Sequence, residues 1–278
     1  MDEKRIQKLR VYMSDVEIAR KLHRENPTKT VHQYQLQLSR RVGLKNRPEI
    51  VGVIGDTHFP FVHPYYLEFL QDMFHARGVT KIVHIGDMVD HHAISRHLSE
   101  PDGLGAMQEF ECAMEHVRLY TEAFPEATLL LGNHDRIPER QAAELGLPSF
   151  YVKSFAELFE LPKSWTVTSR LVFNDVVYEH GINWSGKTGA LNKAVAQMQS
   201  CVIGHSHSFG GCTGSANVQK YVFGLNSGCG IDIDAYAFRY GKYSKYRETL
   251  GCGIVYNRHH AEFIPMFSEY FRSNVDNN

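Results

Sequence analysis

Five short polar segments carry residue types that hold metal ions. They are Asp56-Thr57-His58, Asp87-Met88-Val89-Asp90, Asn133-His134-Asp135, Glu179-His180-Gly181 and His205-Ser206-His207. Aspartate, histidine and asparagine mixed in this way suit borderline divalent ions such as manganese, iron and zinc better than calcium or magnesium. Asp56 and His58 are two residues apart, so on an extended segment they face the same side, and His205 and His207 repeat that spacing. A carboxylate such as Asp87 can bridge two ions. Burying so many carboxylates and imidazoles with no cation between them would be very costly.

Each segment ends an apolar run. Residues 49–54 read as a buried strand leading into Gly55-Asp56, residues 81–85 lead into Gly86-Asp87, and residues 127–131 lead into Gly132-Asn133. Helical patterns over 64–77 and 106–123 separate these strands. Strand, helix, strand, helix, strand predicts a parallel α/β arrangement. In such sheets ligands collect beyond the carboxyl ends of the strands, and a glycine there lets the chain turn sharply. Short strands are predicted later at 165–172, 176–179, 201–203, 220–225, 253–256 and 262–265, several spaced to pair as hairpins. The pattern predicts two packed sheets with helices outside.

In this order, Asp56-x-His58, Gly86-Asp87-x-x-Asp90, Gly132-Asn133-His134-Asp135, His180-Gly181 and Gly204-His205-Ser206-His207 resemble the signature of the calcineurin-like metallophosphoesterases. The resemblance spans residues 50–210 and implies an α/β fold, a four-layer αββα sandwich of two mixed sheets. It implies two divalent ions at one edge, with manganese the first choice and iron, zinc or nickel as alternatives. Asp56, His58 and His207 would hold one ion, Asn133, His180 and His205 the other, and Asp87 would bridge. His134 would be the acid near the leaving group, oriented by Asp135, and Asp90 would support the ligands from behind. Such an ion pair lowers the pKa of a bridging water, which attacks phosphorus in line while the ions clamp the phosphoryl oxygens. Two departures from the common pattern are Ser206, where threonine is commoner, and Ile182 after Gly181, where many relatives carry histidine.

The substrate must be set elsewhere. Residues 91–105 form a long insertion at the site, and His92 and Arg96 there are placed to touch a phosphate or a leaving group, or else belong to a solvated loop. Residues 236–248 interleave Tyr236, Phe238, Tyr240, Tyr243 and Tyr246 with cations that include Arg239 and Lys242. Aromatics can stack bases while cations hold a nucleic-acid backbone, though the same stretch also reads as an amphipathic edge. Residues 183–187 follow His180 and are a further candidate for lining the cleft.

The net charge of −1 hides an asymmetry. Residues 1–47 carry twelve Lys/Arg against five Asp/Glu, which leaves 18 against 26 for the remainder. A basic head suggests a polyanionic partner. Ser14-Asp15-Val16-Glu17 reads as a capping box, and a second helix is predicted up to Arg41. The segment resembles a helix-turn-helix whose Thr30, Gln33, Gln37, Arg40 and Arg41 would meet phosphates and base edges. The alternative is a basic arm for self-association. The boundary between head and catalytic domain falls at residues 47 and 48.

The 278 residues are 43% apolar and 12% aromatic, enough for a substantial core. Charged residues interrupt every apolar run before membrane-spanning length, so no membrane partner is expected. The charged start lacks the apolar stretch of a secretion signal. Five widely spaced cysteines without a C-x-x-C pair read as free thiols in a reducing, cytoplasmic compartment. The expected activity is hydrolysis of a phosphodiester of nucleic acid or a nucleotide. The alternative is a phosphomonoesterase for phosphoprotein or a small metabolite.

Overall fold

The computed structural model describes residues 15–27, 49–96, 102–235, 237–238 and 247–267. The chain divides into two compact units, Met1–Pro48 and Glu49–Asn278. In the first unit, helix α1 (Asp15–Glu25) buries Ile18 and Leu22 and exposes Arg20 and Arg24. Ser14 and the expected second helix lie outside the described residues.

The second unit begins with alternating strands and helices: β1 (Val51–Ile54), α2 (Tyr66–Arg77), β2 (Lys81–His84), α3 (Ala106–Ala123) and β3 (Ala127–Leu130). β1, β2, β3 and β4 (Trp165–Thr168) run parallel. Parallel neighbours need a crossover that returns to the same end of the sheet, and α2 and α3 supply the first two. The antiparallel hairpin of β10 (Gly251–Asn257) and β11 (His260–Pro265) adds to the other side of β1. The sheet order is β11-β10-β1-β2-β3-β4.

The second sheet has the order β5-β6-β7-β9-β8. It is formed by β5 (Leu171–Phe173), β6 (Val176–Tyr178), β7 (Ser200–Ile203), β8 (Gly210–Ala216) and β9 (Tyr221–Ser227). β6, β7 and β9 are parallel, and α5 (Gly189–Gln197) crosses over between β6 and β7. The segment 165–172, expected as one strand, is two. β4 closes the edge of the first sheet and β5 opens the second, so the chain changes sheets at Ser169 and Arg170. Helix α4 (Ile137–Glu144) was hidden by Pro138, which occupies the first turn, where its missing N–H costs nothing.

Side chains alternate across each strand and sort into separate cores. Val51, Val53, Val83, Ile85, Val176, Tyr178, Val202 and Leu225 meet between the two sheets. Ile54 and Leu129 face outward with Tyr66, Phe69, Leu70, Val117 and Tyr120 from α2 and α3. Val177, Cys201 and Ile203 pack against Ala190 and Ala194 of α5. The layers are helices, sheet, sheet and helix, which is the αββα sandwich. The carboxyl ends of β1, β2 and β3, and those of β6 and β7, carry the five polar segments. No helix among the described residues is long and apolar enough to cross a membrane. All five cysteines are free thiols.

Candidate metal centre

Side chains from both sheets converge beyond these strand ends. Ligand atoms of Asp56, His58, Asp87 and His207 lie within 4.8 Å of one another, as do those of Asp87, His180 and His205. Asp87 belongs to both groups. Its Oδ1 accepts the backbone N–H of His134 at 2.8 Å. Its Oδ2 lies 3.0 Å from Nε2 of His180 and 3.7 Å from Nε2 of His58. One carboxylate oxygen therefore stands between two imidazoles of different groups. Asn133 joins the second group, with Oδ1 3.1 Å from Nε2 of His180.

The backbone takes strained turns to achieve this. His58, Asp87 and His205 have φ of 49°, 47° and 66°. Non-glycine residues in this region cost about 1–3 kcal/mol each and persist only where the surroundings hold them. His58 is held by its N–H to the carbonyl of Asp87 at 2.9 Å, and His205 by its N–H to Oδ2 of Asp56 at 2.8 Å. The extended geometry expected for Asp56-x-His58 and His205-x-His207 is thus replaced by left-handed turns. The side chains still converge because the turns, and not strand alternation, aim them.

Two neighbours tune the imidazoles. Nδ1 of His58 donates to Oδ1 of Asp90 at 2.5 Å, which leaves its Nε2 lone pair facing the cluster. Nδ1 of His134 is 2.7 Å from the main-chain oxygen of Asp90 and 3.2 Å from its carboxylate. The residue that orients His134 is therefore Asp90 and not Asp135. Asp135 is turned under the loops. Its Oδ1 accepts N–H bonds from Met88 and Val89 at 2.9 and 3.1 Å, and its Oδ2 accepts one from Gly132 at 2.8 Å. Asp135 fixes the β2 and β3 loops against each other.

The electrostatics describe a site short of positive charge. Burial pulls the pKa of His180 down, but Asp87 and Asp56 outweigh it and raise the pKa to about 9. Burial likewise opposes protonation of His134, yet Asp90 and Asp87 lift it to about 10. For Asp87, burial disfavours the charged form, while His180 and its hydrogen bond hold the carboxyl well below its usual range. Buried carboxylates thus favour positive charge at both His180 and His134. Oδ1 of Asp56 is buried and has no hydrogen-bond partner. An orphaned carboxylate oxygen beside imidazole lone pairs fits divalent ions, and Asp56, His58, His207, Asp87, Asn133, His180 and His205 form a donor set suited to two.

A cavity of about 370 Å³ opens over the cluster, lined by Asp87, His134, His205, His207, Ser185, Gly186, Phe238 and Glu248 among others. Ser185 and Gly186 come from the stretch after His180 that was a candidate for the cleft wall. Phe238 is buried, with its ring 5.5 Å from that of His58, so it packs on the candidate ligands as part of the cavity wall. His92 is also buried, its Nδ1 3.8 Å from Oδ2 of Asp90, and does not belong to a solvated loop. Arg96 is exposed and paired with Glu144. Arg239, Lys242, Thr30, Gln33, Gln37, Arg40 and Arg41 lie outside the described residues. Lys193 is a buried charge that no motif in the sequence marks. Its ammonium pairs with Glu179, next to His180, and lies 5.4 Å from the ring centre of Trp184. A helical pattern over 189–197 would have shown that Lys193 sits among Ala190, Ala194 and the sheet.

Several solved structures are similar to the chain. A metallophosphoesterase from Sphaerobacter thermophilus is 16% identical, with 79% of this chain and 88% of that chain covered and a TM-score of 0.41. Vacuolar protein sorting 29 from Cryptosporidium parvum is 10% identical, with 80% and 98% covered and a TM-score of 0.41. Yfce, a phosphoesterase from E. coli, is 14% identical, with 74% and 87% covered and a TM-score of 0.34. No curated protein sequence matches the chain. The family described as calcineurin-like phosphoesterase matches residues 50–209. That span is more than half of the chain and takes in every strand end of the cluster, so the chain belongs to the calcineurin-like phosphoesterase family.

Proposed function

We propose that the protein is a two-metal phosphodiesterase acting on nucleic acid or a nucleotide, with manganese as the first choice of ion. The observation that supports two ions is Oδ2 of Asp87, placed between His58 and His180 while Oδ1 of Asp56 is buried without a partner. Bound divalent ions would supply Lewis acidity and a nucleophile at neutral pH. Asp56, His58, His207 and Asp87 would hold one ion, and Asp87, Asn133, His180 and His205 the other. Asp90 keeps His58 in the tautomer that presents Nε2. His134, anchored through Nδ1, leaves Nε2 for the cleft. There it donates a hydrogen bond or a proton to the phosphoryl or leaving oxygen, a contribution typically worth about 10²–10⁴-fold.

A diester reading is supported by the open cleft and by the basic first 47 residues, whose charge suits a polyanion. The five free thiols suit a reducing compartment such as the cytoplasm. The experiment compares bis-p-nitrophenyl phosphate with p-nitrophenyl phosphate in manganese, and then a panel of short nucleic acids. A higher kcat/KM on the diester, and cleavage of at least one nucleic acid, are expected. A higher kcat/KM on the monoester would replace this reading with a phosphomonoesterase.

A further inference from the structure

Beside the metal cluster lies a second cavity, of about 250 Å³, lined by Ser95, Arg96, Asn133, His134, Arg140 and Gln141 with Ile137 and Glu144. Asn133 and His134 also line the cleft over the metals, so they form the partition between the two spaces.

The lining is built for an anion. Two guanidinium groups face one carboxylate, and Ile137 is the single apolar side chain. Nη2 of Arg140 donates to the main-chain oxygen of Asn133 at 3.1 Å, which ties the arginine to a candidate metal ligand and leaves other N–H groups of its fork. Arg96 pairs with Glu144, but both side chains are at least half exposed, and such a pair contributes little and exchanges readily for a better acceptor. The walls are also fixed. Oε1 and Oε2 of the buried Glu109 accept the backbone N–H groups of His92 and Ala93 at 2.6 and 2.7 Å. The side-chain amide of Gln141 donates to the carbonyl of Ile94. The turn that carries Ser95 and Arg96 is thus clamped to α3 and α4 at once.

We propose that this cavity is a subsite for a second phosphate of the substrate, next to the phosphate that is cleaved. Arg140 and Arg96 grip its oxygens with paired N–H bonds, the geometry that guanidinium groups offer to phosphate. The substrate is then a nucleotide chain with a phosphate on each side of a sugar, and not an isolated diester. This inference rests on the phosphodiesterase reading above.

The test uses the full-length protein in manganese with bis-p-nitrophenyl phosphate, the thymidine dinucleotide TpT, and the same dinucleotide carrying an added 5′- or 3′-phosphate. One of the two phosphorylated dinucleotides is expected to exceed TpT in kcat/KM by roughly tenfold or more, the scale of one charge-assisted contact. In Arg140→Ala and in Arg96→Ala that ratio should fall towards one. The ratio is internal to each variant, so a general loss of activity does not imitate the effect. If bis-p-nitrophenyl phosphate is turned over but neither added phosphate gives an advantage, the inference is overturned and the diesterase reading stands. A ratio unchanged in both variants also overturns it. If neither bis-p-nitrophenyl phosphate nor any dinucleotide is hydrolysed, the diesterase reading falls and takes the inference with it.

Discussion

Gly132 lies so close to Asp87 that no side chain fits between them: a Cβ on residue 132 would lie 2.1 Å from Oδ1 of Asp87 and 2.4 Å from its backbone nitrogen. The position of the Asp87 carboxylate therefore depends on the absence of a side chain at position 132. Gly204 stands in the same relation to Asp56, with a Cβ there 2.3 Å from Oδ1. Gly132→Ala should push Asp87 off the line between His58 and His180. Turnover should drop by about 10–100-fold, the range that metal-site support residues reach, and bound manganese should fall below wild type while the far-ultraviolet circular dichroism is kept. Elemental analysis of the purified variant checks this, and full metal content would contradict it.

Asp90 serves two imidazoles at once, through Oδ1 to His58 and through its carbonyl and carboxylate to His134. Asp90→Asn keeps the shape but removes the charge and one acceptor. Manganese affinity should weaken by about 10–100-fold, and turnover at saturating metal should fall as well, because His134 loses the carboxylate that favours its protonated form. Calorimetric titration together with kcat at saturating metal reads the two effects separately. Wild-type values for both would remove Asp90 from the site.

His84 is fully buried at the end of β2, and both of its nitrogens are used in the neutral form. Thr57 donates its hydroxyl to the carbonyl of Met88, so Nε2–H of His84 donates to Thr57 Oγ1 at 3.0 Å, while Nδ1 accepts the N–H of Gly86 at 3.3 Å. Burial depresses the pKa of His84 to about 3. The unfolded chain takes up a proton near the ordinary histidine pKa of about 6.5 and the folded chain does not, so this contribution to stability is present above that pH and is lost as pH falls towards 3. The loss is of order 3 kcal/mol by pH 4. Urea midpoints of metal-stripped protein between pH 7 and pH 4 should fall steeply, and less steeply in His84→Asn, whose Oδ1 can still accept from Gly86. An unchanged pH slope in the variant would contradict the role given to His84.

Deletion of residues 1–47 should leave turnover of small chromogenic diesters in place and weaken binding to a short duplex or single strand. The excess of twelve Lys/Arg over five Asp/Glu makes the head's contribution electrostatic, so the intact protein should lose affinity with salt more steeply than the truncated one. Binding curves at several salt concentrations measure both slopes. Equal affinity and equal slope would favour a basic arm for self-association, to be followed by sedimentation.

The candidate cluster was legible because Asp56, Asp87, Asn133, His180 and His205 each sit two residues past an apolar run, with His58 and His207 two further on, and periodicity plus glycine locates such strand ends. The two-sheet sandwich followed from the same runs. Three things were not legible. The change of sheets at Ser169 and Arg170 leaves no mark, since 165–172 is uniformly strand-like. The exchange of roles between Asp90 and Asp135 depends on left-handed turns at His58 and Asp87, and sequence spacing carries no sign of φ. Arg140 meets Asn133 only because α4 folds back over the β3 loop, and Pro138 masked that helix.

The most direct test of the two-metal centre is a manganese titration of metal-stripped protein, followed by calorimetry with bis-p-nitrophenyl phosphate turnover read at each addition. The expected result is two ions bound per chain, activity that rises with occupancy and is abolished by a chelator, and an Asp87→Asn variant that binds fewer than two ions and is inactive. A wild-type protein that saturates with one ion or none, or an Asp87→Asn variant that binds two and keeps near-wild-type turnover, would contradict it.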